Sequence, residues 1–275
     1  MAELGEDLAE RYARDGVVFV QGAFTPEQLA MVAAAFDHSI AHPSAMAPKR
    51  PDDGPVFFAD NGHVANWTSE PYRRLLAVGP MASIARRLFG TDDVWFFNEQ
   101  LFWKEGGHVP RTPWHQDTTY FQFEGPDQAV FWMSLDPLKR DEALEVVRGS
   151  HRGAVYDGIS SGSEGGQIPF YNAGDLPPLP DIEADRSAFD IAGWACAPGD
   201  LLIFHPACLH GGGPARPGMR RRSLTLRFCG PKTVRVARPD REDASGTNAS
   251  NLFYAQVKAL AIGEPVAHTP CIVRV

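Results

Sequence analysis

His115 and Asp117 stand one residue apart, while His210 and Arg221 lie far downstream. Two histidines and one carboxylate form the ligand set of non-haem Fe(II) oxygenases, which leaves one face of the metal open. The set has meaning only if the chain brings these positions together. On an extended strand, residues two apart share a face, so His115 and Asp117 can grip one ion together. A second strand must then return His210 to the same place. The competing reading of the tripeptide is a hydrogen-bonded His and Asp at a strand end, and His-x-Asp alone does not separate the two. The context does. His210 sits in Leu209-His210-Gly211-Gly212-Gly213, where glycines let the backbone come close to a bound group.

Arg221 belongs to the run Arg220-Arg221-Arg222. Strand parity predicts that Arg221, Ser223, Thr225 and Arg227 face inward, with Arg222, Leu224 and Leu226 outward. A buried guanidinium needs an anionic partner, and its planar fork matches a carboxylate. The far carboxylate of a 2-oxo acid meets that need. If the register slips by one, Arg220 or Arg222 takes the inward place. Arg227 is expected either to meet an anionic group of a substrate or to pair with an acid of the barrel itself.

The rest of the chain reads as helices first and short strands later, an α+β layout, mainly β, in one domain over residues 1–275. Leu4 to Tyr12 is a predicted amphipathic helix and Val17-Val18-Phe19-Val20 a strand. Thr25-Pro26-Glu27-Gln28 is a capping-box helix start, and that helix runs to about Ile40. His42 to Asn66 reads as irregular, and Glu70 to Leu88 as helical. Val94 to Lys104 is a predicted strand with Asn98, Gln100, Phe102 and Lys104 on one face. Ala129–Leu135, Leu144–Val147, Leu201–Phe204 and Ser223–Phe228 are further strands. The Gly, Ser and Pro-rich stretch from Tyr156 to Asp181 is expected to be a lid or loop insert near the site.

Composition narrows the partners. The net charge is −8 and the sequence pI about 5.6, which argues against nucleic acid, whose phosphates need a basic footprint. The four cysteines, Cys196, Cys208, Cys229 and Cys271, form no Cys-x-x-Cys pair. They read as reduced thiols of a cytoplasmic protein. No secretory signal and no membrane-length apolar run is apparent. The apolar stripe of Asn251 to Ile262 packs on the core or on a second copy, as in a homodimer.

Phe102-Trp103-Lys104-Glu105, Thr112-Pro113-Trp114-His115-Gln116-Asp117, Trp132-Met133-Ser134-Leu135-Asp136, Val147-Arg148-Gly149-Ser150-His151, Pro198-Gly199-Asp200, and His210-Gly211 followed by Arg221 together resemble the phytanoyl-CoA dioxygenase family, in particular bacterial members acting on small metabolites. The resemblance implies a double-stranded β-helix, or jelly roll, with flanking helices. It implies Fe(II) on His115, Asp117 and His210, 2-oxoglutarate as cosubstrate on Arg221, and O2. It places Gln116 and Trp132 beside the cosubstrate, Gln100 and Phe102 on the pocket wall, and Tyr120 with Asn98 on the substrate side. The expected activity is hydroxylation of an unactivated C–H bond in a small polar metabolite, releasing succinate and CO2. Halogenating relatives lack the carboxylate, and Asp117 is present. The alternatives are a cupin-like metal enzyme using no 2-oxo acid, for which Arg221 would be dispensable, and an acyl-CoA hydroxylase.

Overall fold

Gly16 shows how local sequence sets the first boundary. Helix α1 (Leu8–Asp15) ends there with the glycine at φ +69°, a left-handed conformation that side chains other than glycine rarely adopt. A Cβ on Gly16 would lie 2.3 Å from the His151 ring, so the turn into strand β1 (Val17–Val20) also needs its small size. The computed structural model describes all residues except 1–4, 6, 46, 48–55, 62–63, 162–166, 172–174 and 240–251.

Helix α2 (Pro26–Ala41) starts as expected: the Gln28 amide donates to Thr25 Oγ1, and Gln28 Oε1 accepts from the Thr25 amide. The stretch read as irregular contains a strand, β2 (Val56–Asn61), and a short helical turn, Val64–Trp67. The expected long helix is two, α3 (Glu70–Val78) and α4 (Met81–Phe89). They are divided at Gly79-Pro80 because proline disfavours helical backbone in the residue before it.

The strands that follow are β3 (Trp95–Glu105), β4 (Thr112–His115), β5 (Gln128–Ser134), β6 (Leu144–Val147), β7 (Ile191–Gly193), β8 (Leu201–Phe204), β9 (His210–Gly212) and β10 (Arg220–Cys229). Helix α5 (Leu252–Ala259) and strand β11 (Val273–Arg274) complete the chain. The larger sheet runs β1-β8-β5-β10-β3-β11, with β2 also paired to β3, and the smaller runs β7-β6-β9-β4. Pairings within both are antiparallel. The fold is the double-stranded β-helix, mainly β with flanking helices.

Two apolar layers fix the sheets. Leu224, Leu226 and Phe228 alternate on the outer face of β10 with no solvent exposure. They join Phe36, Trp67, Tyr72, Leu75 and Ile84 of the helices in one core. The rings of Trp67 and Phe96 meet edge-on at 5.5 Å, and Phe253 of α5 closes on Trp67 at 5.9 Å. The C-terminal stripe therefore packs on its own core. Between the sheets, Val130, Trp132, Leu202 and Phe204 meet Leu144, Val146 and Ala192. The same inward face of β3 and β10 carries Asn98, Gln100, Arg221, Ser223, Thr225 and Arg227, because the cross-strand partners are Arg221 with Lys104, Ser223 with Phe102, Thr225 with Gln100 and Arg227 with Asn98. The predicted parity holds in this sheet. Among the described residues, no helix is long and apolar enough to cross a membrane.

Candidate metal centre

His115 ends β4 and His210 begins β9, and the two are direct cross-strand partners. Antiparallel pairing therefore puts both rings on one face, 4.2 Å apart between centroids. Asp117 opens the short 3-10 turn Asp117–Tyr120 that follows β4. The ligand-type atoms of His115, Asp117 and His210 lie within 4.8 Å of one another, the one such cluster of three among the described residues. The imidazoles are oriented from behind. His115 Nδ1 is 2.8 Å from the Pro113 carbonyl and His210 Nδ1 is 2.9 Å from that of Cys208. A carbonyl only accepts, so each Nδ1 carries the proton and each Nε2 offers its lone pair. Those Nε2 atoms face Asp117 Oδ1 at 3.6 Å and 3.7 Å. Burial, with His115 alongside, pushes the His210 imidazole down to about 3, so it is neutral and able to ligate at neutral pH.

Arg227 is where the structure departs from one sequence expectation. Its Nε and Nη2 donate to Asp117 Oδ2 at 3.1 Å and 2.8 Å, Nη1 to Asn98 Oδ1 at 2.9 Å, and Nη2 also to Gln100 Oε1 at 2.7 Å. Burial alone would raise the Asp117 carboxyl; Arg227 and the two histidines reverse that and hold it well below the usual range. A substrate-facing Arg227 is thus corrected to the alternative, an ion pair with a barrel acid, and that acid is the metal-type carboxylate itself. Asn98 and Gln100 are drawn into the same network through their carbonyl oxygens, whereas Asn98 Nδ2 is buried without a partner.

Arg221 has the opposite character. It is 4% exposed, and no carboxylate hydrogen-bonds it. Nη1 donates to the backbone carbonyls of Glu142 and Gly213 at 2.9 Å and 2.7 Å, while Nε has no partner. A Cβ on Gly212 would come 3.1 Å from Arg221 Nη2, and one on Gly213 2.6 Å from the Asp141 carbonyl. Gly212 thus makes room for the guanidinium, and Gly213 for the Asp141–Glu142 backbone. Arg220 and Arg222 both pair with Asp136, which settles the register in favour of Arg221. Trp132 lies beneath Arg221, ring centroid 5.8 Å from Cζ. Two further groups, for which the sequence reading gave no role, stand beside it. Ser223 Oγ is buried and unpartnered. Lys104, the cross-strand partner of Arg221, is 2% exposed, and burial with Arg221 nearby pushes its ammonium down to about 7. Inward parity on β3 was the available signal for Lys104.

Gln116 does not face this cavity. Its Nε2 donates to the carbonyls of Ala154 and Ala207, and its Oε1 accepts from the Tyr156 amide. Strand alternation explains the correction: the residue between His115 and Asp117 must point the other way. Phe102 is half-buried on the inward face beside Ser223. The ring of Tyr120 meets His115 edge-on at 6.2 Å, and its hydroxyl donates to the Ile159 carbonyl and accepts from the Ile159 amide. The expected insert contains paired strands Ile159–Ser161 and Gln167–Pro169. Besides Tyr120, it is tied to the ligand turn by Thr119 Oγ1 to the Tyr156 carbonyl and Tyr171 Oη to the Thr119 carbonyl. Residues 162–166 and 172–174 of that insert lie outside the described residues.

The family model for phytanoyl-CoA dioxygenase (PhyH) matches residues 12–223, and the chain belongs to that family. Human peroxisomal phytanoyl-CoA dioxygenase is 25% identical over 149 residues, 54% of this chain and 40% of that enzyme. The match thus spans well under half of that relative. Among solved structures, the epimerase SnoN in complex with Fe3+, alpha ketoglutarate and nogalamycin RO superposes with a TM-score of 0.64 at 20% identity, covering 94% of each chain. EctD from S. alaskensis with 2-oxoglutarate and 5-hydroxyectoine gives 0.62 at 20% identity, covering 88% of this chain and 82% of that one. At these identities the likeness is one of fold.

Proposed function

We propose that this member of the phytanoyl-CoA dioxygenase family is an Fe(II)- and 2-oxoglutarate-dependent oxygenase that hydroxylates an unactivated C–H bond of a small polar metabolite. When bound, Fe(II), 2-oxoglutarate and O2 supply the oxidising chemistry and release succinate and CO2. The chain's residues do the rest. His115, Asp117 and His210 would hold the metal on one face; the two Nε2 lone pairs and the single free carboxylate oxygen suit a divalent cation. Arg221 would take the far carboxylate of the 2-oxo acid. Ser223 Oγ would add a hydroxyl and Lys104, whose Nζ also lies 3.5 Å from the Pro110 carbonyl and from Thr112 Oγ1, a partly protonated amine, while Trp132 would form a floor. The insert strands tied to the ligand turn through Tyr120 and Thr119 would help to limit access of water.

The observation that carries this reading is the Nε edge of Arg221: a buried cation whose Nη1 is held by two backbone carbonyls, whose Nε has no hydrogen-bond partner, and to which no carboxylate among the described residues hydrogen-bonds. A buried charge left so is costly unless a ligand completes it. A metal enzyme that uses no 2-oxo acid gives that edge no task. An acyl-CoA substrate is disfavoured by the net charge of −8, since a CoA phosphate needs a basic groove. The direct experiment is anaerobic titration of the Fe(II)-loaded protein with 2-oxoglutarate, following the visible charge-transfer band. Its appearance, and its loss in His210→Ala, support the assignment and justify a substrate screen by succinate release. A protein that binds iron and never develops the band overturns it in favour of the 2-oxo-acid-independent reading.

A further inference from the structure

Asp117 has two oxygens, yet only Oδ1 faces the imidazole nitrogens. Oδ2 is spent on Arg227, which reaches it from both Nε and Nη2. We propose that Arg227 is the positioning residue that fixes Asp117 as a one-oxygen metal ligand. The proposal rests on the metal site argued above.

The guanidinium is itself immobilised. Asn98 accepts from Nη1 and Gln100 from Nη2, and the ring of Phe121 lies 5.8 Å from its Cζ. It is 5% exposed, so no competing water reaches the pair easily. The carboxylate thus cannot turn to present both oxygens without breaking two charge-assisted hydrogen bonds. A lysine in this place would carry the charge on a single nitrogen and could not serve Asp117, Asn98 and Gln100 in one plane. Orientation and electrostatics predict opposite outcomes here. A cation beside the site repels a divalent metal, so a purely electrostatic Arg227 would, when removed, let the metal bind more tightly. A positioning Arg227 would, when removed, let it bind more weakly.

The test uses the full chain and Co(II) alone as the probe, titrated by its visible d–d absorption. Arg227→Met is expected to bind Co(II) about 10–100-fold more weakly, the range for loss of a group that orients a metal ligand. Its d–d spectrum is also expected to change as the carboxylate turns, a shift that a merely structural residue would not cause. Arg227→Lys keeps the charge and loses the fork; at least about tenfold weakening is expected there as well. If Arg227→Met leaves too little folded protein, Arg227→Lys decides alone. Wild-type affinity and spectrum in both variants, or tighter binding in either, overturns the proposal. Asp117→Asn and His210→Ala separate the two levels. If they bind Co(II) as the wild type does, the metal site itself is wrong. If they lose Co(II) while the Arg227 variants do not, only the positioning role fails.

Discussion

Replacing Arg221 by methionine tests the cosubstrate site quantitatively. Among the described residues, Arg221 Nε has no hydrogen-bond partner and Nη2 makes no hydrogen bond, while Nη1 is held by two backbone carbonyls. A carboxylate on that free edge gains two charge-assisted hydrogen bonds, each contributing about 1.5–3 kcal/mol. The lower bound, about 3 kcal/mol, corresponds to roughly 100-fold in 2-oxoglutarate affinity. At 2-oxoglutarate held at about 100 times the wild-type Kd, ligand linkage stabilises the metal-loaded wild type by about 2.7 kcal/mol. For a chain of this size that raises Tm by about 5–10 °C. In Arg221→Met the same concentration falls to about the new Kd, and the gain shrinks to about 0.4 kcal/mol, or under about 2 °C. The Glu142 and Gly213 carbonyls also lose a donor, so the unliganded Tm moves for a separate reason. The comparison is therefore the ligand-induced shift within each protein, measured anaerobically by calorimetry with the metal present. A variant that keeps the full wild-type shift would refute the argument.

Glu99 provides a pH test. It is 2% exposed, accepts from Ser39 and Asn66, and burial pushes its carboxyl up to about 7. Because the folded state holds this proton more tightly than the unfolded chain does, the contribution of Glu99 to stability is fully present below about 4.5 and about 3 kcal/mol of it is lost as pH rises through 7; Glu99→Gln should flatten that part of a denaturation profile, and an unchanged slope would assign it to other groups. Trp67→Ala opens a cavity between Phe96 and Phe253 and is expected to cost about 3–5 kcal/mol in chemical denaturation; a loss under about 1 kcal/mol would contradict the packing described. Tyr120→Phe removes both hydrogen bonds to Ile159. Faster amide exchange at Ile159, with the core amides unchanged, is expected, and equal protection would show that the hairpin does not depend on this staple.

Much of the fold was legible where local rules and tertiary structure agree. The Thr25–Gln28 capping box, strand Val17–Val20 and the alternation along β3 and β10 follow from periodicity and hydrogen-bonding capacity over a few residues. Strand β2 was not legible, since a strand whose pairing comes from a neighbour need not declare itself locally; Val56–Asn61 is a strand because β3 is long enough to receive it. The break at Gly79-Pro80 could have been read from proline's effect on the preceding residue.

The candidate site divides in the same way. The sequence by itself determined the ligand types and the inward parity of Arg221 and Arg227, because these depend on chemistry and on the two-residue repeat of a strand, whereas Asp117 reaches the side of His115 from the turn that follows β4. The same repeat could have shown that Gln116 turns away; the family resemblance placed it beside the cosubstrate instead. Only the tertiary structure decided what each inward arginine meets. Arg221 and Arg227 share a strand face and a charge, yet one ends among backbone carbonyls with an edge left open and the other on Asp117. That difference is set by β4 and β9, strands distant in the chain, which bring Gly213 to the first arginine and Asp117 to the second. A repeat along one strand cannot report what another strand carries to it.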